Sequence, residues 1–165
     1  MYTQVSPPQR QLGKNAVKVW VISEVIMNLV WFIILGVLFY LDHRFEWKEW
    51  IGWVLIGITI LSVLTSIWSI GFQPILRYKS WRYDVDEEFL RLKSGIFKVE
   101  HQLIPMTKVQ AVSTKQGPLL RKYGLFSVTV STMATSHEIP TLPENVAIEL
   151  RNQIAQFAKV KEVDE

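Results

Sequence analysis

Residues 50–72 read WIGWVLIGITILSVLTSIWSIGF, a run of 23 residues without one charged side chain. A helix rises ~1.5 Å per residue, so a helix of this length reaches about 34 Å and could cross a hydrocarbon layer of ~30 Å. A soluble protein would have to cover such a helix on every side. The rest of this chain of 165 residues is largely polar and offers too little apolar surface to bury the helix. We therefore predict that this segment, at about residues 50–73, spans a membrane.

A second apolar segment precedes it. Residues 16–41 read AVKVWVISEVIMNLVWFIILGVLFYL, and their charge-free part, residues 25–41, becomes long enough to span when residues 19–24 are included. The basic lead-in would suit a signal peptide. However, the far end reads Leu-Phe-Tyr-Leu-Asp and lacks the small residues that a signal peptidase needs. We therefore predict an uncleaved first span at about residues 19–41.

The basic residues around the two spans predict their orientation, because cytoplasmic flanks carry the excess of Lys and Arg. The loop between the spans, DHRFEWKE at residues 42–49, contains only two Lys or Arg residues, Arg44 and Lys48. The flanks on the side of the termini contain six basic residues: Arg10, Lys14, Lys18, Arg77, Lys79 and Arg82. We therefore predict an antiparallel, multi-pass helical hairpin with both termini in the cytoplasm and the loop outside.

A carboxyl residue and an amide residue lie inside the first span. Glu24 and Asn28 are one helical turn apart and share a face. An ionisable residue within a membrane is a candidate site for an ion or a proton. Glu24 also lies only ~6–8 Å from the predicted inner boundary, where its carboxylate could reach the surface or a cation there. The sequence leaves three roles open for this intramembrane polar site: structural, helix–helix contact, and ion or proton handling.

Small polar residues follow one face of the second span at spacings of three and four: Thr59, Ser62, Ser66 and Ser69. Small residues let helices approach closely in lipid. This face is predicted either to pack on the first span near Gly36 or to contact another copy of the chain. Because Pro74 has no backbone N–H, we predict that it ends or kinks the second helix near Gln73.

The apolar period changes from helical to two at Ser80, as is typical of strands. Strand-like runs occupy residues 80–86, 87–94, 96–104, 108–116, 125–133 and 136–142, with a short helical turn at residues 118–124. In the third run Phe97, Val99, His101 and Leu103 share one face. We predict that this face points inward, which would bury His101.

A helix closes the pattern. Thr141, Pro143 and Glu144 form a capping-box pattern with proline in the first turn. An apolar stripe follows at helical spacing: Val146, Ala147, Leu150, Ile154, Phe157 and Ala158. Such a stripe would cover an open sheet. The part after the hairpin is therefore predicted to be an α+β domain or a capped partial barrel.

The order and spacing of several short motifs resemble the YdbS-like family of bacterial membrane proteins, which carry a pleckstrin-homology-like (PH-like) domain. The motifs are Ile104-Pro105, Val109-Gln110, Gly117-Pro118-Leu119, Arg121, Gly124-Leu125 and Ile139-Pro140. The resemblance covers about residues 16–160. It implies a bent antiparallel sheet of about seven strands capped by a carboxy-terminal helix, and a bacterial cell membrane. It also implies a partner, often a larger membrane protein with repeats of the same domain.

These observations predict four regions. Residues 1–15 would be a flexible cytoplasmic terminus, residues 16–76 the hairpin, residues 77–160 the PH-like domain and residues 161–165 a tail.

One departure from the PH pattern matters. Phosphoinositide-binding PH domains place basic residues in the loop between their first two strands, whereas this chain places four carboxylates there: Asp84, Asp86, Glu87 and Glu88. The resemblance therefore supports the fold and not the binding of inositol lipids.

Two groups of basic residues are candidate contacts with anionic lipid or a partner's acidic surface. Lys115, Arg121 and Lys122 flank the turn at Gly117, and Arg77, Lys79 and Arg82 follow the second span. The alternative for each is an ordinary solvated surface. Residues 77–165 carry 13 Lys and Arg against 11 Asp and Glu. Such a weak excess gives no footprint for nucleic acid, whose binders have concentrated basic patches.

No motif in the sequence predicts catalysis, a metal site or a cofactor. The chain has no cysteine, and His43, His101 and His137 have no metal-like helical spacing to a second ligand. A glycine-rich phosphate loop and a nucleophile elbow are also missing from the sequence. The expectation is a non-enzymatic, membrane-anchored interaction module that assembles with itself or with a larger PH-domain membrane protein. A transport or channel subunit that uses Glu24 and Asn28 is the alternative.

Overall fold

The computed structural model describes residues 8–45 and 47–163, with side chains up to residue 159. Within these residues the chain forms two compact units. One comprises Trp20–Ile75, and the other joins the residues up to Val19 with those from Leu76 onward. The amino-terminal boundary thus differs from the predicted one at residue 15. We call the unit that contains the residues up to Val19 and those from Leu76 onward the domain. Ala16 and Val19 are buried in it.

Two helices and the loop between them form the hairpin. Helix α1 spans Ala16–Phe45 and helix α2 spans Glu49–Ile67. Helix α2 continues through a π-helical turn, Trp68–Phe72, into helix α3, Gln73–Ser80. Both helical stretches are long and apolar enough to cross a membrane, and only 6% of the most apolar window of each is buried within the chain. Apolar side chains thus cover the outer surface of these helices, as a lipid environment requires.

Pro74 does not end the second helix, and the alternative, a kink near Gln73, stays a prediction. It lies in the first turn of α3, and the chain stays helical on both sides of it. The wider π turn directly before it provides the explanation. A proline cannot donate to the carbonyl four residues earlier, and a π turn shifts the hydrogen-bond ladder so that the helix continues past that gap.

The domain contains two three-stranded antiparallel sheets. The first sheet consists of β1 (Arg82–Val85), β2 (Phe89–Ser94) and β3 (Glu100–Pro105) in that order. The second consists of β4 (Val109–Lys115), β5 (Leu125–Thr132) and β6 (Ser136–Pro143). The described residues thus form six strands, whereas the family resemblance implied about seven. A one-turn helix, α4 (Pro118–Lys122), links β4 to β5.

The core of the domain draws on both sheets and on the last helix, α5 (Glu144–Val163). Buried side chains from the strands include Tyr83, Leu90, Leu92, Ile104, Leu125, Val128, Val130, Ile139 and Leu142. The predicted stripe on α5 is confirmed, because Ala147, Leu150 and Ile154 are fully buried. The helix begins at Glu144 and continues through residue 163, so only residues 164 and 165 of the predicted tail lie outside the described part.

The predicted capping box is wrong, because Thr141 belongs to β6 rather than to a helix cap. Its backbone has a positive φ of 54°, and its side chain is buried. The N–H of Glu144, in the first turn of α5, instead donates to the carbonyl of Gly124 at 3.2 Å. Gly124 itself has a φ of 61°, a conformation that glycine adopts at little cost.

The segment before α1 is attached to the domain by backbone hydrogen bonds. Arg10 and Tyr83 exchange N–H···O bonds of 3.1 and 3.0 Å, which extends the first sheet beyond β1. Three residues later the N–H of Gly13 donates to the carbonyl of Thr141 on β6, and Leu12 between them is only 3% exposed. The sequence predicted a flexible terminus over residues 1–15. The structure instead places residues 10–13 against both sheets, while residues 1–7 lie outside the described part.

Candidate functional site

The Asn28 side chain is the centre of a polar cluster within the hairpin. Its amide nitrogen donates to the Glu24 carbonyl at 2.8 Å and lies 3.5 Å from the Ser69 hydroxyl. Its amide oxygen accepts a hydrogen bond from the Ser66 hydroxyl. A primary amide has two donor hydrogens and one acceptor oxygen, so this arrangement uses all of its groups. In an apolar surrounding, such satisfaction between helices stabilises their contact.

A second interhelical bond extends the contact. The Trp31 indole N–H donates to the Ser62 hydroxyl at 2.9 Å. The small polar face of α2 therefore meets Asn28 and Trp31, whereas a side chain at Gly36 would find no atom within 4 Å. The predicted packing of this face on the first span is confirmed, although the contacts lie at Asn28 and Trp31 and not at Gly36 itself. The predicted contact between copies through this face stays a prediction.

Glu24 is half-buried, and its backbone carbonyl takes part in the Asn28 cluster. The arrangement resembles a packing contact, in which polar groups hold two helices together. An ion or proton role for Glu24 stays a prediction.

The basic residues Lys115, Arg121 and Lys122 are all exposed and lie along one connection. Lys115 ends β4, and Arg121 and Lys122 form the last turn of α4. The N–H of Arg121 donates to the Gly117 carbonyl at 2.9 Å, which closes this turn. The structure thus brings the three residues to one end of the second sheet.

The second group of candidate basic residues, Arg77, Lys79 and Arg82, lies on two elements. Arg77 and Lys79 lie on α3 and are exposed. Arg82 begins β1, and its guanidinium donates to the Trp81 carbonyl at 2.6 Å. Part of the hydrogen-bonding capacity of Arg82 therefore serves the local fold. The contact of these residues with lipid or a partner stays a prediction.

The acidic turn between β1 and β2 is held together by Asp86. One carboxylate oxygen accepts the N–H groups of Phe89 at 2.8 Å and Glu88 at 3.1 Å, and the other pairs with the Arg91 guanidinium. An aspartate that caps its own turn in this way orders the loop. Asp86 therefore has a structural role, and Arg91 offsets part of its charge.

An exposed surface on β3 and in the turn directly before it was missed by the sequence analysis. Phe97 is 86% exposed, Val99 52% and Leu103 50%, and His101 is also exposed. The predicted inward orientation of this face is wrong. In the register of the first sheet Leu90 faces Ile104 and Leu92 faces Gln102, so residues 101 and 103 point to the opposite side. The pairing of the buried leucines of β2 with residues 102 and 104 was the signal that could have corrected the prediction.

The amino-terminal segment, Tyr83 and the start of α5 line an open pocket of about 680 Å³. Arg10, Lys14 and Glu149 contribute charged groups to its lining. Burial raises the pKa of Tyr83 above its ordinary value of 10.0; Arg10 opposes this shift, and Glu149 and Asp84 add to it.

The histidines lie apart from one another. His137 bonds to Gln102 and to the Thr135 hydroxyl, each at 2.9 Å. His43 and His101 are exposed. Among residues 8–45 and 47–163, no three or more His, Asp or Glu residues are grouped closely enough to hold a metal ion.

Comparison with known proteins agrees with this architecture. Residues 16–158 match the family model described as Bacterial PH domain. The chain is also 39% identical over 157 residues to the UPF0699 transmembrane protein YdbS of Bacillus subtilis (strain 168), with 95% of this chain and 97% of that protein covered. No solved structure matches the chain. The predicted resemblance is thereby confirmed: the chain is a membrane protein that belongs to the bacterial PH domain family and is similar to YdbS.

Proposed function

We propose that the chain is a non-catalytic interaction module whose helical hairpin holds a PH domain at the inner face of the cell membrane. Its function would be assembly, with itself or with a larger membrane protein that carries PH domains. The observation that carries this proposal is the exposed apolar surface on β3 and in the turn directly before it. The domain has a complete core from both sheets and α5, yet Phe97, Val99 and Leu103 stay half or more exposed. Clustered apolar surface of this kind is typical of an interaction site.

The flanking charges support the proposed location of the domain. Basic residues are concentrated on the side of both termini, which favours a cytoplasmic domain by the positive-inside rule. There Lys115, Arg121 and Lys122, and separately Arg77, Lys79 and Arg82, would face anionic lipid or an acidic partner. Each basic residue near such a surface contributes about 1 kcal/mol. The lipid contacts would orient the domain, while the apolar surface would bind the partner.

A second function, a subunit of a transport or channel complex, rests on the intramembrane cluster. A carboxyl-bearing residue, Glu24, lies one turn from an amide, Asn28, that bonds across to α2. Glu24→Gln separates the two proposals. Transport predicts a change in ion or proton flux into liposomes that contain the purified protein. The interaction module predicts unchanged flux.

The proposed assembly is tested by photo-cross-linking the full-length protein in its native membranes. A cross-linking amino acid is placed in turn at exposed positions of each sheet and of α4, and the adducts are identified by mass spectrometry. We expect at least one position to yield an adduct with a membrane protein or a second copy. Adducts with lipid alone from every position would contradict the proposal.

A further inference from the structure

The outer face of the first sheet carries basic side chains in one row across the strands. Arg82 of β1 lies opposite Lys93 of β2, and Lys93 lies opposite His101 of β3. Side chains directly opposite each other on one face of a sheet interact, and two like charges in this position are unfavourable. Arg82 is partly engaged by the Trp81 carbonyl. No salt bridge links Lys93 to a carboxylate within the described part of the chain. The row therefore favours an anionic group above Lys93.

The next row of the same face ends in an apolar residue. Asp84 of β1 lies opposite Arg91, and Arg91 lies opposite Leu103 of β3. Arg91 forms a salt bridge with Asp86, so the positive charge of this row is already offset by a carboxylate of the turn between β1 and β2. His101 and Leu103 therefore share the outward face of β3, and the exposed Val99 directly precedes the strand. Along this edge of the sheet an apolar residue, Val99, is followed by the basic residue His101 and by a second apolar residue, Leu103.

Strand β3 is also an edge. Within the described residues it pairs with β2 alone. An edge strand presents unpaired backbone N–H and C=O groups, and natural proteins usually protect such a strand with charges, proline or a covering element. Strand β3 has Glu100 at its start and Pro105 at its end, whereas the exposed residues between them are His101 and Leu103. A hydrogen-bonding edge beside apolar side chains suits the addition of a further strand.

We propose that β3 binds an extended segment of a partner membrane protein by strand addition. On the shared outer face this segment carries apolar side chains opposite Val99 and Leu103, and a carboxylate opposite His101 within reach of Lys93. The inference rests on the proposed assembly function and names its surface and the chemistry of the partner. The alternation of side chains along a strand sets the required pattern: apolar, any, acidic, any, apolar.

A second copy of β3 fits this surface less well. Antiparallel pairing of two copies about His101 would match Val99 with Leu103, which is favourable. However, it would also place two Arg82–Lys93 pairs on one continuous face. Like charges on one face repel each other. The charge pattern therefore favours an acidic partner over self-pairing.

The test places a photo-cross-linking amino acid at position 99 or at position 103 of the full-length protein in native membranes. Strand addition predicts adducts at two partner residues four positions apart, with an acidic residue between them. In the same background, Lys93→Glu should lower the adduct yield by about tenfold or more, because it places a like charge opposite the partner's carboxylate. The matched change Lys108→Glu, at an exposed position in the turn after β3, should leave the yield unchanged.

Four results would overturn the inference: adducts with lipid, adducts with a second copy, a partner segment without the acidic residue, or equal yields for the two charge reversals. Failure of the broader assembly function has a different signature. If positions 99 and 103 give no protein adduct but a position on β4 such as Ser113 does, only the β3 assignment fails. If no position gives a protein adduct, both proposals fail.

Discussion

The backbone N–H of Gly13 donates to the carbonyl oxygen of Thr141 at 3.0 Å. A Cβ atom at position 13 would lie 2.8 Å from that oxygen and 3.1 Å from side-chain atoms of Leu125 and Pro143. The segment before α1 can therefore reach the second sheet only because residue 13 has no side chain. This contact, together with the Arg10–Tyr83 pair, joins the start of the first helix to the folded domain.

Gly13→Ala is expected to lower the free energy of unfolding of the domain by about 1–3 kcal/mol, as overpacking at a buried site does. Thermal unfolding in detergent, followed by tryptophan fluorescence, measures the change. Gly117→Ala is the matched control, because its added Cβ meets no atom within 4 Å and its φ is −80°. Equal midpoints for the two variants would show that the Gly13 contact is not formed.

Asp86→Ala is expected to destabilise the domain by about 1–2 kcal/mol, the usual effect of losing a capping side chain. It removes the acceptor for two backbone N–H groups and leaves Arg91 without this carboxylate. Glu87→Ala, one residue further in the same exposed turn, should change stability by less than about 0.5 kcal/mol. Chemical denaturation of both variants checks the difference. A loss in the Glu87 variant as large as in the Asp86 variant would contradict a structural role specific to Asp86.

Alkaline pH should destabilise the domain through Tyr83. Burial raises the pKa of Tyr83 above 10.0, so above about pH 10 the unfolded state releases a proton that the folded state retains. Stability is therefore full below that pH and falls as pH rises towards the folded-state pKa. Tyr83→Phe removes this titration, so its unfolding free energy should fall less steeply between about pH 9 and about pH 11. Parallel slopes for wild type and variant would refute the assignment.

Asn28→Leu should weaken the hairpin by about 1 kcal/mol, near the usual value of a hydrogen bond between membrane helices. The change removes the amide that accepts from Ser66 and donates towards Ser69. Unfolding in a titration with denaturing detergent measures it. Thr65→Val is the control, because the Thr65 hydroxyl bonds to the Leu61 and Ser62 carbonyls of its own helix. If Asn28→Leu were neutral, the cluster would not contribute to the contact of the two helices.

The hairpin could be predicted because a membrane span is a local property of composition. The 23 uncharged residues at 50–72 predict a membrane span without any information about the rest of the chain. The buried face of α5 could be predicted equally well, because the period of its apolar residues lies within one helix. Both predictions depend only on neighbours in sequence.

The outward face of β3 could not be predicted from its own alternation. Which side of a strand is buried depends on its register with the neighbouring strand, and a shift by one residue exchanges the two faces. The pairing of Leu90 with Ile104 decides it here. The contacts of Arg10 and Gly13 are likewise long-range, because their partners, Tyr83 and Thr141, lie more than 70 residues away. The continuation of the helix past Pro74 depends on a π turn that no residue in the sequence marks.

The location of the domain is tested most directly by cysteine labelling in intact bacterial cells, because the natural chain has no cysteine. One variant carries Lys48→Cys, in the exposed loop before α2, and the other carries Lys159→Cys, at an exposed position of α5. We expect a membrane-impermeant maleimide to label position 48 in intact cells and position 159 only after the cells are permeabilised. Labelling of position 159 in intact cells would contradict a hairpin that holds the PH domain in the cytoplasm.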